Sequence, residues 1–231
     1  INLTLMTNNK IYFIANWKMY GGIKSIQSIK NVIKLKKKSA YRNAEVIYCP
    51  PYTLLDQFSK NIKKTKIVLG AQNCHSSSDY GAFTGSVNSK MLKNIGCKYV
   101  IIGHSENRIS GDDDKIINLK IKSCIKERLK VIFCIGETLF ERKKNKTDFV
   151  LKKQILNGLK NIIIKENIIF AYEPVWSIGT GIIPKNKDLD KQVIQIKKFI
   201  KEKFKVRSPK VLYGGSVNPK NISNLKQISS I

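Results

Sequence analysis

A glutamate at the end of a strand-like run is the first candidate for chemistry in this sequence. The apolar residues Ile168-Ile169-Phe170 lead into Ala171-Tyr172-Glu173-Pro174-Val175-Trp176, and Gly-Thr-Gly follows at 179–181. A single carboxylate at the mouth of a scaffold, joined to a stiffened segment that ends in glycines, suits a catalytic base attached to a closing lid, the lid segment 174–181. Taken alone, these residues equally fit an ordinary strand-to-helix loop with a solvated glutamate.

Two further side chains with chemical potential follow other strand-like runs. His104, one of 2 histidines, comes after Tyr99-Val100-Ile101-Ile102-Gly103 and could donate to a substrate oxygen. A helix N-terminus facing the ring would lower its pKa and keep it neutral. Lys18 lies beside Trp17, where an ammonium could hold a phosphate or a developing enolate charge. The alternatives are a hydrogen-bonded structural histidine and a solvated lysine.

A glycine pair near the end of the chain is a candidate phosphate site. Tyr213-Gly214-Gly215-Ser216 follows a short strand-like run, and adjacent N–H groups with a hydroxyl can bind phosphate oxygens. Together with Gly179 in the lid segment, this stretch would form two halves of a phosphate clamp. A plain Gly-Gly turn is the alternative.

The elements that must position these residues alternate regularly along the chain. The pattern predicts strands at 11–15, 45–49, 67–71, 99–103, 131–135, 168–172 and 210–213. It predicts helices at 23–37, 52–60, 88–95, 115–128, 148–164, 189–205 and 219–227. Because each strand is followed by a helix and no linker interrupts the series, we expect one α/β domain, 1–231, with a parallel sheet.

Polar residues follow nearly all of the predicted strands. A doubly wound sheet gathers its ligands mainly at one switch point, whereas a (β/α) barrel collects chemistry at the carboxyl ends of all its strands. The distribution therefore favours a (β/α) barrel.

The bulk composition narrows the possible partners and location. The formal net charge is +27, but Arg occupies only five of the 43 basic positions and Lys the rest, spread over nearly every predicted helix. This argues against nucleic-acid recognition, for which clustered Arg is usual. No run of about 18 apolar residues is present, so we expect no membrane span. The 5 cysteines contain no C-x-x-C pair, which favours reduced thiols and a cytoplasmic location.

Six motifs, in order along the chain, resemble those of the triosephosphate isomerase family. They are Asn16-Trp17-Lys18-Met19, residues 81–85, Gly103-His104-Ser105-Glu106, Cys134-Ile135-Gly136-Glu137, residues 171–181 and Tyr213-Gly214-Gly215-Ser216. The resemblance spans essentially the whole chain and implies a (β/α)8 TIM barrel. It implies interconversion of dihydroxyacetone phosphate and D-glyceraldehyde 3-phosphate through an enediolate, in glycolysis and gluconeogenesis, with no cofactor and no metal.

The same resemblance implies a role for each site residue, as is established for that family. Glu173 would be the base, His104 the neutral electrophile and Lys18 a source of positive charge. Asn16, Lys18, Gly179 and Ser216 would bind the substrate, and Glu106 and Cys134 would support the site. A homodimer through loop 74–86 is also implied, with no nucleic-acid or membrane partner.

The chain departs from the family pattern in two places. It ends at Ile231, where an eighth strand and a Gly-Gly turn would follow in the family. We therefore expect about seven of eight β/α units and a C-terminally incomplete barrel. Because the strands at its two edges would be left unpaired, we expect low stability and activity for these residues alone. Ser86 and Asn107 stand where the family has an interface Glu–Arg pair, which predicts neutral contacts there. A basic nucleic-acid-binding protein, a non-catalytic barrel remnant and another phosphate-handling barrel enzyme are the other interpretations considered.

Overall fold

Seven parallel strands follow one another around a nearly closed barrel in this computed structural model, which describes residues 10–165, 167–179 and 183–230. The strands are β1 Ile11–Asn16, β2 Ala44–Cys49, β3 Ile67–Ala71, β4 Tyr99–Ile102, β5 Lys130–Ile135, β6 Ile168–Tyr172 and β7 Val211–Tyr213. Each pairs in parallel with its neighbour in chain order, for example Cys134 with Ala171 and Tyr172 with Tyr213. All seven predicted strands are confirmed within one or two residues.

Helices connect the strands and pack around the outside. They are α1 Ile29–Lys36, α2 Leu55–Ile62, α3 Ser89–Ile95, α4 Ser105–Ile109, α5 Asp114–Lys126, α6 Leu139–Lys143, α7 Thr147–Gly158, α8 Asn186–Phe204 and α9 Ile222–Leu225. Two of the predicted helices begin as 3-10 turns, Ile23–Ser28 before α1 and Tyr52–Leu54 before α2. The short helices α4 and α6 were not predicted, because five residues carry too little periodicity to be recognised.

Two apolar layers hold the barrel together, and β5 shows how one strand serves both. Ile132 and Cys134 point into the barrel interior with Tyr99 and Ile169. Phe133, on the opposite face of the same strand, packs in the core between the strands and the outer helices. This alternation follows from the two-residue period of a strand.

Helix α5 illustrates how the outer layer is built. Ile117, Ile121 and Cys124 recur at helical spacing and are fully buried against the strands. Asp113 caps the helix, its Oδ1 accepting from the Ile116 N–H at 2.7 Å. Among the helices of the described residues, none combines the length and the apolar character that a membrane span requires.

Candidate active site

The carboxylate of Glu173 lies directly after β6 and is enclosed by its neighbours, with only 7% of the residue exposed. Oε1 accepts a hydrogen bond from the Cys134 thiol at 3.2 Å. Oε2 is buried without a hydrogen-bond partner among the described residues. Burial raises the pKa of Glu173 to about 7, opposed by the Cys134 hydrogen bond and the positive charge of Lys18. A carboxylate with this pKa accepts and releases protons near neutral pH.

Glycines make room for this carboxylate. A Cβ on Gly136 would lie 1.8 Å from the Glu173 carbonyl oxygen, and one on Gly214 would lie 2.4 Å from Glu173 Cγ. Both distances are far below van der Waals contact, so no larger side chain fits at either position without moving the base. The ends of β5 and β7 therefore define where Glu173 sits.

His104 faces the base from the end of β4. Its Nε2 lies 3.9 Å from Glu173 Oε2, and its Nδ1 accepts a hydrogen bond from the Glu106 backbone N–H at 3.2 Å. Because Nδ1 is an acceptor, the neutral ring carries its proton on Nε2, the nitrogen that points toward Glu173. Burial lowers the pKa of His104 and nearby Lys18 lowers it further, while Glu106 opposes the shift. The neutral donor anticipated from the sequence is therefore favoured, with burial as the main cause.

Lys18 places its ammonium beside these groups, 2.5 Å from Glu106 Oε1. Glu106 is more exposed than the other acids of the site and also lies 3.6 Å from His104 Nδ1 through Oε2. The site thus contains one buried carboxylate and a more exposed one that is paired with a cation. That difference in environment separates the two acids chemically.

The backbone of Lys18 adopts a positive φ of 53°, a strained conformation for a side chain of this kind. Asn16 Oδ1 accepts from the Lys18 N–H at 3.0 Å. Gln72 Nε2 donates to the carbonyl oxygens of Lys18 and Cys49, each at 2.8 Å. The strand ends of β1, β2 and β3 therefore hold Lys18 jointly. Gln72 was visible in the sequence as a polar residue after β3, but nothing there indicated its partner.

Gly179 and Ser216, the two candidate phosphate residues, lie together. The Gly179 N–H donates to Ser216 Oγ at 3.1 Å, and Ser216 Oγ donates to the Ser177 carbonyl at 2.7 Å. Ser177 Oγ lies 2.8 Å from the Tyr213 hydroxyl. The described part of the lid segment is therefore joined to the loop after β7. Positions 180 to 182, which include the last two lid residues, lie outside the described residues.

The first residues of the lid segment contact a second buried acid, Glu137. The sequence showed this residue after β5 but indicated no role for it. Glu137 is fully buried and accepts from the Tyr172 hydroxyl at 3.1 Å and from Trp176 Nε1 at 3.0 Å. Arg142 Nη1 lies 3.7 Å away, and its guanidinium packs over the Trp176 ring. Two hydrogen bonds and a nearby guanidinium stabilise this buried acid, and its contact with Trp176 ties it to the lid segment.

The barrel thus brings together Asn16, Lys18, His104, Glu106, Cys134 and Glu173 by the contacts given above. Comparison with known proteins agrees with the family resemblance seen in the sequence. The family model described as triosephosphate isomerase matches residues 11–231.

The chain belongs to the triosephosphate isomerase family.

Individual relatives and one solved structure agree with this membership. The triosephosphate isomerase of Thermodesulfovibrio yellowstonii is 41% identical over 226 residues, covering 96% of this chain and 91% of its own. That of Dictyoglomus thermophilum is 44% identical over 217 residues, covering 90% and 86%. The crystal structure of triosephosphate isomerase from Bartonella henselae is 34% identical with a TM-score of 0.86, covering 96% of this chain and 90% of that one.

Proposed function

We propose that this chain interconverts dihydroxyacetone phosphate and D-glyceraldehyde 3-phosphate, the reaction named for its family, with Glu173 as the base. The observation that carries the role of Glu173 is a buried carboxylate with a pKa of about 7, placed 3.9 Å from the protonated nitrogen of a neutral histidine. Such a pair supplies an acceptor for a carbon-bound proton and a donor for the adjacent oxygen.

The reaction needs two proton movements that the pair can supply. Glu173 removes a proton from the hydroxymethyl carbon of the ketose, while His104 Nε2–H donates to the carbonyl oxygen as negative charge develops there. His104 passes its Nε2 proton to that oxygen and takes up the hydroxyl proton of the first carbon, while Glu173 returns its proton to the neighbouring carbon; this gives the aldose and leaves both side chains as they began. Every step is a proton transfer, so we propose that no cofactor and no metal takes part.

Lys18 stabilises the charge that appears on the substrate during these steps. Its ammonium lies beside Glu106, and its backbone is held by Asn16 and Gln72. A fixed positive charge in a partly water-excluded site lowers the energy of an enediolate more than that of the neutral ketose. Asn16 is assigned to substrate binding as well, since its side chain lies next to this ammonium-bearing residue. Cys134 and Glu106 support Glu173 and His104.

The phosphate group is assigned to Gly179 and Ser216. Both groups are donors that are satisfied within the protein, the Gly179 N–H by Ser216 Oγ and the Ser216 hydroxyl by the Ser177 carbonyl. A bound phosphate would take over these two donors and so join the lid segment to the loop after β7. Closing the lid segment over the substrate keeps water from the enediolate, which would otherwise lose its phosphate or exchange freely.

For partners, we propose a homodimer formed through loop 74–86, with neither nucleic acid nor membrane as a partner, in the cytoplasm. Large apolar side chains are exposed on two segments, the one after Lys18 and loop 74–86 itself: Met19 at 95% and Tyr20 at 75%, and Tyr80 at 60% and Phe83 at 50%. Covering such side chains is a common reason for association. Ser86 and Asn107 would then meet the partner through neutral contacts. Sedimentation that shows only monomer at micromolar concentration would exclude this arrangement.

The function is tested by assaying the purified chain with each triose phosphate in deuterium oxide. Turnover in both directions, with deuterium appearing on the carbon next to the carbonyl group, is expected because Glu173 exchanges its proton with solvent. Turnover without label would mean that Glu173 returns the same hydrogen before it exchanges with solvent, and parent-like turnover in Glu173→Gln would exclude Glu173 as the base. Adding a chelator should leave the rate unchanged. Because low activity is expected for these residues alone, the assay uses enough protein to detect slow turnover, and a rate no higher than that of buffer would reject the proposed reaction for these residues.

A further inference from the structure

Arg108 lies beneath the site, where its guanidinium spans the ends of two neighbouring strands. Nε donates to the Gly103 carbonyl at the end of β4 at 2.8 Å, and Nη2 donates to the Cys134 carbonyl of β5 at 3.4 Å. Nη1 donates to Asp114 Oδ1 at 2.9 Å. The side chain is only 19% exposed. All three nitrogens of the guanidinium thus donate hydrogen bonds at the same time.

Both carbonyls belong to residues adjacent to the reacting groups. Gly103 immediately precedes His104, and the backbone N–H of Arg108 also donates to the His104 carbonyl at 3.0 Å. Cys134 donates its thiol to Glu173 Oε1 at 3.2 Å. A shift of either carbonyl would therefore move the histidine or the thiol against the base.

The two strand ends approach closely at this point. Gly103 has a φ of 77°, and a Cβ on it would lie 3.0 Å from the Cys134 carbonyl oxygen and 3.1 Å from Arg108 Nη2. Two carbonyl dipoles held side by side repel one another unless a donor lies between them. The guanidinium supplies that donor and a positive charge in a largely buried place.

The outer end of the guanidinium is itself fixed. Asp114, the first residue of α5, accepts from Arg108 and also from Asn157 Nδ2 of α7 at 3.0 Å. Because an ammonium is a point charge on a flexible stem, Lys could not satisfy the two carbonyls and Asp114 with the same geometry.

We propose that Arg108 is a positioning residue for the isomerisation, holding His104 and the Cys134–Glu173 pair in register across the ends of β4 and β5. The proposal rests on the proposed function, since it assigns the geometry of that same site. Arg108 acts through these residues and does not contact the substrate. Nothing in the sequence pointed to it beyond its being one of few arginines.

The first test compares Arg108→Lys with Arg42→Lys, a matched change at an exposed arginine far from the site. Arg108→Lys should lower kcat on the order of 10- to 100-fold, as expected when reacting groups are misplaced by a fraction of an ångström. KM should change little, because the proposed phosphate contacts at Gly179 and Ser216 do not involve Arg108. Arg42→Lys should keep the parent kcat and KM.

A second variant separates positioning from simple loss of folded protein. In Arg108→Ala, guanidinium ion added at millimolar concentration should restore part of kcat, whereas methylammonium should not. A variant that is merely less folded would be destabilised further by guanidinium. Asp114→Asn, which weakens the anchor but keeps the arginine, should lower kcat by a smaller factor than Arg108→Lys.

The outcomes distinguish this proposal from the one on which it rests. An unchanged chain without turnover rejects the proposed function. An active chain whose Arg108→Lys variant keeps the parent kcat rejects the role of Arg108. The role of Arg108 is also rejected if the fall in kcat of the Arg108 variants equals their loss of folded protein by circular dichroism and guanidinium does not restore kcat in Arg108→Ala.

Discussion

Replacing Glu173 with Gln should abolish most activity and should raise the stability of the protein relative to the parent on going from acid to alkaline pH. The carboxylate is buried, its pKa is raised to about 7 by that burial, and Oε2 has no hydrogen-bond partner among the described residues. Above this pH the folded state must contain a poorly solvated negative charge. Gln has nearly the same shape without the charge, and its Oε1 can still accept from the Cys134 thiol.

The size of the effect follows from the pKa shift. The folded pKa is raised from its ordinary value of 4.5, so the folded state binds the proton more tightly and stability falls as pH rises between 4.5 and about 7. The free energy lost by the parent is about 3 kcal/mol near pH 8 but only about 1 kcal/mol near pH 5. The Gln amide leaves its own N–H groups poorly paired, which costs about 1–3 kcal/mol at either pH. The difference between the two conditions, about 2 kcal/mol, therefore isolates the charge.

Urea unfolding at fixed protein concentration measures this difference. The free energy of unfolding of Glu173→Gln, relative to that of the parent, should be about 2 kcal/mol higher near pH 8 than near pH 5. Glu202→Gln, a matched change at an exposed position on α8, should behave like the parent at both. A gain for Glu173→Gln that is equal at the two pH values would refute the reasoning. The same variant should lose on the order of 10²- to 10⁴-fold in kcat, the usual contribution of a general base.

Three further substitutions test other parts of the site. Lys18→Met should lower kcat/KM by about 10²-fold or more, measured by steady-state kinetics, because it removes the positive charge beside the substrate. A melting curve should show little change in stability, because Glu106, which loses its partner, is 57% exposed. Gly136→Ala should destabilise by about 3 kcal/mol or more, since its Cβ would lie 1.8 Å from the Glu173 carbonyl oxygen, and a melting temperature equal to the parent's would contradict the packing. Ser216→Ala removes the hydroxyl that joins the lid segment to the loop after β7, so KM should rise more than kcat falls, and an unchanged KM would remove this residue from the phosphate site.

The strands were predictable because their signal is local. Each is a short, almost continuously apolar run with polar residues behind it, and burial on both faces requires that composition. Helix ends were harder to predict. The run at 148–164 suggested a helix through Ile164, but α7 ends at Gly158, where a Cβ would lie 2.5 Å from the Phe133 ring. That close approach joins residues far apart in sequence and requires glycine there, although the Asn157-Gly158 pair is itself a local sign of a helix end.

The same distinction holds for the site. Glu173, His104 and Lys18 were found because each chemically suitable side chain follows a strand, and parallel strands bring their carboxyl ends together. Gln72 and Arg108 were missed or left without a role, since their importance lies in the carbonyl oxygens to which they donate. A carbonyl group is present at every residue and therefore leaves no trace in the sequence.

The sequence by itself determined which groups are available and in what order they meet around the barrel. It also determined the family, because six short motifs recur in one order along the chain. Only the tertiary structure decided how those groups behave. Burial by neighbouring strands moves the pKa of Glu173 to about 7, and one backbone N–H on His104 Nδ1 leaves the proton on Nε2. Both effects depend on what surrounds a side chain, and those surroundings are assembled from parts of the chain that are distant in sequence.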